Sequence, residues 1–123
     1  MESGKLRLDG KTIVLIEDDF LVGLDLKQML EGAGATVIGP VGNPDEGAAI
    51  ARAELIHGGI LDVNLRGQTS GPVGHELLAR RISFVVVTGY ARETVPGVLK
   101  AARHLQKPIE HALLLRMATT LFV

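Results

Sequence analysis

Short apolar runs alternate along this chain with longer segments whose apolar residues recur at helical spacing. The runs are too short for helices and rich in β-branched residues, so they predict strands buried on both faces. We predict five strands, at residues 12–16, 35–41, 59–62, 83–87 and 103–106. Strands that alternate with helices form a parallel sheet covered by helices on both sides. The predicted fold is α/β: a five-stranded parallel sheet, doubly wound, a (βα)5 flavodoxin-like sandwich.

The segments between the strands predict the helices. Asn43 is a candidate N-cap and Pro44 suits a first helical turn, whereas Pro96 and Gly97 predict a weak fourth helix. The predicted helices cover residues 20–31, 44–54, 73–80, the weak segment around Pro96, and 109–120. Residues 64–71 are the most loop-like stretch of the chain.

Composition excludes several classes of function. A chain of 123 residues fits one domain, and the absence of Cys excludes disulfides, thiolate metal sites and thiol catalysis. A net charge of −1 and 3% aromatic residues give no electrostatic or stacking surface for nucleic acid. No apolar run is long enough to span a membrane, and residues 1–10 do not resemble a signal peptide. We therefore expect a soluble, cytoplasmic domain with no nucleic-acid or membrane partner.

Charged and hydroxyl side chains follow four of the predicted strands. They are Glu17, Asp18 and Asp19 after the first strand, Asp62 after the third, Thr88 after the fourth, and Lys107 after the fifth. The carboxyl ends of parallel strands meet at one sheet edge, where ligands bind. Carboxylates that converge repel one another unless a cation such as Mg²⁺ is present. An acidic metal site with a potential Asp nucleophile, a hydroxyl and an ammonium group suits phosphoryl transfer to a carboxylate.

Four stretches in this order resemble the CheY-like receiver domain of bacterial two-component response regulators. They are residues 13–19 (IVLIEDD), 60–64 (ILDVN), 86–89 (VVTG) and 105–108 (LQKP). Each stretch alone is weakly specific, but four at the expected strand ends are strongly specific. The resemblance covers residues 11–123 and leaves residues 1–10 as an N-terminal extension. Thr88-Gly89-Tyr90 further resembles stand-alone receivers of alphaproteobacteria.

The resemblance implies a role for each matching residue. Asp62 would accept a phosphoryl group from a histidine kinase or histidine phosphotransfer protein. Mg²⁺ would be bound by Asp18, Asp62, the backbone carbonyl of Asn64 and, largely through water, Glu17. Thr88 and Lys107 would bind phosphoryl oxygens, and Gly89 would leave the phosphoryl group accessible. The Lys107–Pro108 peptide bond would be cis.

Other positions carry a less specific expectation. His104 occupies the position of an aromatic switch residue, although a half-exposed edge-strand histidine is an equal alternative. Asn64 and Tyr90 stand where receivers tune hydrolysis of the acyl phosphate. Arg66 and Ser70 replace the Pro and Gly usual in this loop. The possible contacts with a donor protein are Phe20, Leu21, Val22 and Pro108, with core packing an equal alternative for the first three.

Competing functions remain open at this point. Taken singly, Asp18 or Asp19 could be a helix cap, Asp62 a turn residue and Lys107 a surface lysine. A degenerate receiver would bind a partner without phosphorylation, although Glu17, Asp18, Asp62, Thr88 and Lys107 are all retained. A small Mg²⁺-dependent aspartyl-phosphate phosphatase would need an acid where Asn64 stands. We therefore expect a phosphoacceptor switch, not an enzyme, that catalyses only its own phosphorylation and dephosphorylation. We also expect a monomer or a weak homodimer.

Overall fold

The computed structural model describes residues 6–89, 95 and 97–122. Five parallel strands form one sheet in the order β2-β1-β3-β4-β5. The strands are β1 (Thr12–Ile16), β2 (Thr36–Val41), β3 (Gly58–Asp62), β4 (Phe84–Thr88) and β5 (Arg103–Gln106). Strand β2 lies on one side of β1, and β3, β4 and β5 follow on its other side, which is the flavodoxin-like order that the sequence predicts.

Four α-helices flank the sheet within the described residues. They are α1 (Phe20–Gly32), α2 (Pro44–Ala53), α3 (Gly71–Ala79) and α4 (His111–Leu121). The expected weak helix between β4 and β5 is, in its described part, a single 3₁₀ turn at Gly97–Leu99. The prediction of this weak fourth helix as α-helical is wrong for that part, because a Pro–Gly pair disfavours α-helical geometry in so short a connection.

The core has two layers, one on each face of the sheet. Alternate side chains of β1 point to opposite sides, so Ile13 and Leu15 pack with α1 and α4, and Val14 and Ile16 pack with α2 and α3. All residues of β3 and β4 are buried, whereas β2 and β5 are partly exposed at the sheet edges. The continuous apolar runs of the sequence therefore predict the strands that have another strand on each side.

Two details extend the sequence prediction. Leu8 is only 1% exposed and its amide donates to the carbonyl of Ala33, so part of the expected N-terminal extension packs on the core. The proposed boundary after residue 10 stays a prediction.

The peptide bonds Gly39–Pro40 and Lys107–Pro108 are both cis, the second as the resemblance implies. Among the described helices, none has the length and apolar character needed to cross a bilayer.

Candidate functional site at the carboxyl edge of the sheet

The sheet brings the predicted polar residues to one edge. They are Glu17 and Asp18 just after β1, Asp62 at the end of β3, Thr88 at the end of β4, and Lys107 just after β5. The β3–β4 register pairs Asp62 with Val87, so Thr88 lies one residue further along the same edge. The amide of Lys107 donates to the carbonyl of Thr88 at 2.9 Å, which holds the end of β5 beside β4. The predicted convergence of these residues is therefore present in the fold.

Three carboxylates form the centre of the site. One oxygen from each of Glu17, Asp18 and Asp62 lies within 4.8 Å of the other two. Glu17 and Asp62 are buried, at 3% and 6% exposure, whereas Asp18 lies nearer the surface. Backbone amides accompany them, since the Asp19 amide donates to Glu17 at 3.0 Å and the Asn64 amide donates to Asp62 at 3.3 Å. Buried acids this close require compensating positive charge.

The ammonium group of Lys107 supplies part of that charge. Its Nζ donates to Asp62 Oδ2 at 2.9 Å and lies 3.6 Å from Glu17 Oε1. Burial by itself lowers the pKa of Lys107, but the hydrogen bond to Asp62 and the charges of both acids outweigh it and raise the pKa. Lys107 is therefore charged at neutral pH and faces the carboxylate of Asp62.

The buried carboxyl group of Glu17 shows how this environment changes a pKa. Burial is the largest cause that raises the pKa of Glu17 to about 7. The neighbouring Asp62 also raises the pKa, whereas the amide of Asp19 and the charge of Lys107 lower it. Without further positive charge, Glu17 thus holds a proton well above the usual range of a carboxyl group.

The donor set fits a hard divalent cation. Mg²⁺ prefers carboxylate and carbonyl oxygens and retains several waters, and the site offers carboxylate oxygens from Glu17, Asp18 and Asp62 at an open edge. When all three carboxylates are ionised, their negative charge exceeds the positive charge of Lys107, and a divalent ion would offset the excess.

The two adjacent aspartates after β1 have different roles. Asp19 is the N-cap of α1, and its Oδ1 accepts from the amides of Leu21 and Val22 at 3.1 and 3.2 Å. Asp18 instead joins Glu17 in the acidic cluster. The helix-cap alternative therefore holds for Asp19 and not for Asp18.

The expected loop after β3 contains a small hairpin. Asn64–Leu65 pairs antiparallel with Gln68–Thr69. The side chain of Asn64 accepts from the amide of Gly67 at 3.3 Å, which ties it to the turn. Ser70 is the N-cap of α3, but its buried hydroxyl makes no capping hydrogen bond. Sequence inspection missed the hairpin because two-residue strands carry too few residues to show a period.

Arg66 replaces the Pro usual at this position in receivers, and the sequence pattern assigns no role to it. In the structure its Nε lies 3.4 Å from Asp18 Oδ2, so a second cation touches the acidic cluster. The signal that could have found it is the pair Arg66-Gly67 in a Gly-containing turn directly after an active-site strand.

The remaining predicted residues lie around this centre. Gly89 is exposed, and a Cβ atom added there would meet nothing within 4 Å. His104 is half-buried, with Nε2 3.1 Å from the carbonyl oxygen of Leu99 and a buried Nδ1 that has no partner. Tyr90 lies outside the described residues, so its predicted role stays a prediction.

The expected partner contacts lie on one flank of the site. Phe20 and Leu21 are 67% and 74% exposed, whereas Val22 is partly buried and packs against the core. An apolar groove of about 630 Å³ lies between α1 and the segment after β5, and Leu21, Val22 and Pro108 line part of it. The core-packing alternative therefore applies to Val22 only.

Comparison with known proteins supplies the family. No family model and no curated protein matches the sequence. SdrG from Sphingomonas melonis Fr1, solved in solution, is 33% identical, with 92% of this chain and 97% of that one aligned at a TM-score of 0.77. A CheY-like receiver domain protein from Methanospirillum hungatei is 26% identical over 89% of this chain and 91% of its own, with a TM-score of 0.76. The receiver domain of a Pseudomonas aeruginosa sensor histidine kinase, with magnesium in its active-site cleft, is 21% identical over 92% and 98%, with a TM-score of 0.79. The chain belongs to the CheY-like receiver domains of response regulators.

Proposed function

We propose that this receiver is a phosphoacceptor switch that takes a phosphoryl group on Asp62 and transmits the signal by protein–protein contact. The observation that carries the proposal is the charged Lys107 Nζ at 2.9 Å from Asp62 Oδ2, inside the cluster of Glu17, Asp18 and Asp62. This arrangement puts a carboxylate nucleophile beside a cation that can pair with an incoming phosphoryl oxygen.

In the transfer, a carboxylate oxygen of Asp62 attacks the phosphorus atom of the donor. An oxygen–phosphorus bond forms while the bond from phosphorus to the imidazole nitrogen of a phosphohistidine breaks, and the electron pair leaves with the imidazole. Lys107 and the buried Thr88, at the adjacent strand end, would hold two phosphoryl oxygens. Hydrolysis of the acyl phosphate by water returns the free carboxylate and releases inorganic phosphate.

Bound Mg²⁺ would neutralise the charge that builds up on the transferring phosphoryl group. Asp18 and Asp62 would bind it directly, Glu17 largely through water, and Asn64 through its backbone carbonyl. The acid cluster supports this assignment, since its oxygens lie within 4.8 Å of one another. The positive charge of the metal would favour the ionised form of Glu17, whereas without metal its raised pKa favours the protonated form.

The donor would be a histidine kinase or a histidine phosphotransfer protein. Exposed Phe20 and Leu21 and the apolar groove that reaches Pro108 lie beside the acidic cluster and support docking of such a protein there. Cytoplasmic location, the stand-alone alphaproteobacterial type, and a monomeric or weakly dimeric state stay predictions. So do the hydrolysis-tuning roles of Asn64 and Tyr90 and the switch role of His104.

Intact-mass measurement after incubation with acetyl phosphate and Mg²⁺ tests the proposal. We expect one phosphoryl adduct on the wild type and on Asp45→Asn, an exposed acid outside the site, and none on Asp62→Asn or after chelation of Mg²⁺. An adduct on Asp62→Asn would refute the assignment of the acceptor. A wild type with neither adduct nor Mg²⁺ binding would instead be a degenerate receiver that acts by binding alone.

A further inference from the structure

Arg66 sits in a backbone conformation that an arginine rarely adopts. The two turn residues of the small hairpin, Arg66 and Gly67, have φ values of 53° and 87°. Positive φ at both positions defines the two-residue hairpin turn that favours Asn-Gly, so Arg at the first position costs stability without a local benefit. A residue held in an unfavoured conformation beside a reactive centre is a candidate for a functional role.

The turn directs the guanidinium group to the acidic cluster. Arg66 is 83% exposed, yet its Nε lies 3.4 Å from Oδ2 of Asp18, whose side chain is 18% exposed. Both residues line a cleft of about 410 Å³ that also contacts Asp19 and Phe20. Arg66 is therefore the more exposed of two cations beside the cluster, since the side chain of Lys107 is 34% exposed.

We propose that Arg66 is the counter-ion of Asp18 in the metal-free domain and competes with the divalent cation for this carboxylate. The inference rests on the proposed function, in which Asp18 binds Mg²⁺. A cation that enters the cluster must displace the guanidinium group from Asp18 and then remains near a like charge. Arg66 thus acts as a positioning residue that lowers the affinity for Mg²⁺ and so sets the concentration at which the site fills.

Calorimetric titration of the full chain with MgCl₂ tests the proposal without any phosphodonor. The variant Arg66→Asn removes the charge and places at this position a residue that the turn prefers, so folding is not at risk. We expect its Kd for Mg²⁺ to be about two- to fivefold lower than that of the wild type, as for loss of an exposed ion pair. The difference should shrink at high ionic strength.

Arg81→Asn is the matched control. Arg81 is also exposed and also has a positive φ, of 58°, but it follows α3 at the opposite end of the sheet. We expect this variant to bind Mg²⁺ as the wild type does, and Arg66→Lys, which keeps the charge, to lie closer to the wild type than Arg66→Asn.

Each outcome decides the proposal. An unchanged or higher Kd for Arg66→Asn, or an equal decrease for Arg81→Asn, overturns it while the proposed function stands. Absence of Mg²⁺ binding in both the wild type and Arg66→Asn overturns it together with the metal part of the proposed function. A lower Kd for Arg66→Asn with no adduct on Asp62 supports the competition and refutes the phosphoacceptor role alone.

Discussion

In the absence of metal, we expect Glu17→Gln to stabilise the domain at about pH 8 and to change its stability little near pH 4. Burial and the neighbouring Asp62 raise the pKa of Glu17 from 4.5 to about 7 in the folded chain. Between these pH values the unfolded chain releases a proton that the folded chain keeps, so stability falls as pH rises. Gln is neutral at every pH and does not incur this loss.

The size of the effect follows from the shift. The change from 4.5 to about 7 corresponds to at most about 3 kcal/mol in the free energy of unfolding. We expect about 2 kcal/mol, because the open edge of the sheet admits water and salt, which screen the charge. The difference between variant and wild type should develop between about pH 4.5 and about pH 7 and then level off.

Urea unfolding with a metal chelator, at a series of pH values, measures this difference. Glu54→Gln, a replacement at the exposed C-cap of α2, is the control and should leave the pH dependence of the wild type unchanged. Added Mg²⁺ should narrow or reverse the advantage of Glu17→Gln, since the cation favours the ionised carboxylate. If Glu17→Gln follows the wild type at every pH without metal, the argument from the buried acid pair is refuted.

Three further predictions concern the frame that holds the site. Asn43→Ala, which removes the oxygen that accepts two amides of α2, should cost about 1 kcal/mol in urea unfolding, whereas Ser70→Ala, at a cap without such a bond, should not destabilise. Leu26→Ala, at a site 2% exposed, should lower the free energy of unfolding by about 2–5 kcal/mol, whereas Leu21→Ala should lower it by less than about 0.5 kcal/mol. Equal losses in the two variants would show that Leu21 is part of the core. Gly39→Ala should lower the thermal midpoint markedly, because φ is +132° and the new Cβ would meet the main chain of β1; an unchanged midpoint would show that this turn can rearrange.

The fold could be predicted where one physical signal dominated. The strands Thr12–Ile16 and Arg103–Gln106 have the bounds that the sequence predicts. The strands β2 and β3 differ from the prediction by one residue at the start, and β4 is shifted by one residue at both ends. The apolar run of β1 is preceded by polar residues and followed by the acidic residues from Glu17 onward, so both ends of the strand are well defined in the sequence. Asn43 likewise accepts from two helix amides, as an Asn before Pro at the start of a helix predicts.

The connections were harder because their structure depends on contacts distant in sequence. The small hairpin after β3 has strands of only two residues each. The same sequence is equally compatible with a loop that contains no strands. After β4, Leu99 is fully buried although Pro96 and Gly97 disfavour a helix, so burial of one side chain anchors this connection. Neither feature has a period that a sequence pattern can reveal.

The site shows the same division between composition and geometry. That acids, a hydroxyl and an ammonium group meet at one edge follows from strand order alone, since each residue closes or follows a parallel strand. How their charges balance does not follow from strand order, because it depends on separations of a few ångströms. Lys107 lies 2.9 Å from Asp62 but 3.6 Å from Glu17, and Arg66 reaches Asp18 from a turn that the sequence pattern did not reveal. Burial is the largest cause of the raised pKa of Glu17, so whether this acid is ionised near neutral pH depends on the charges that lie beside it.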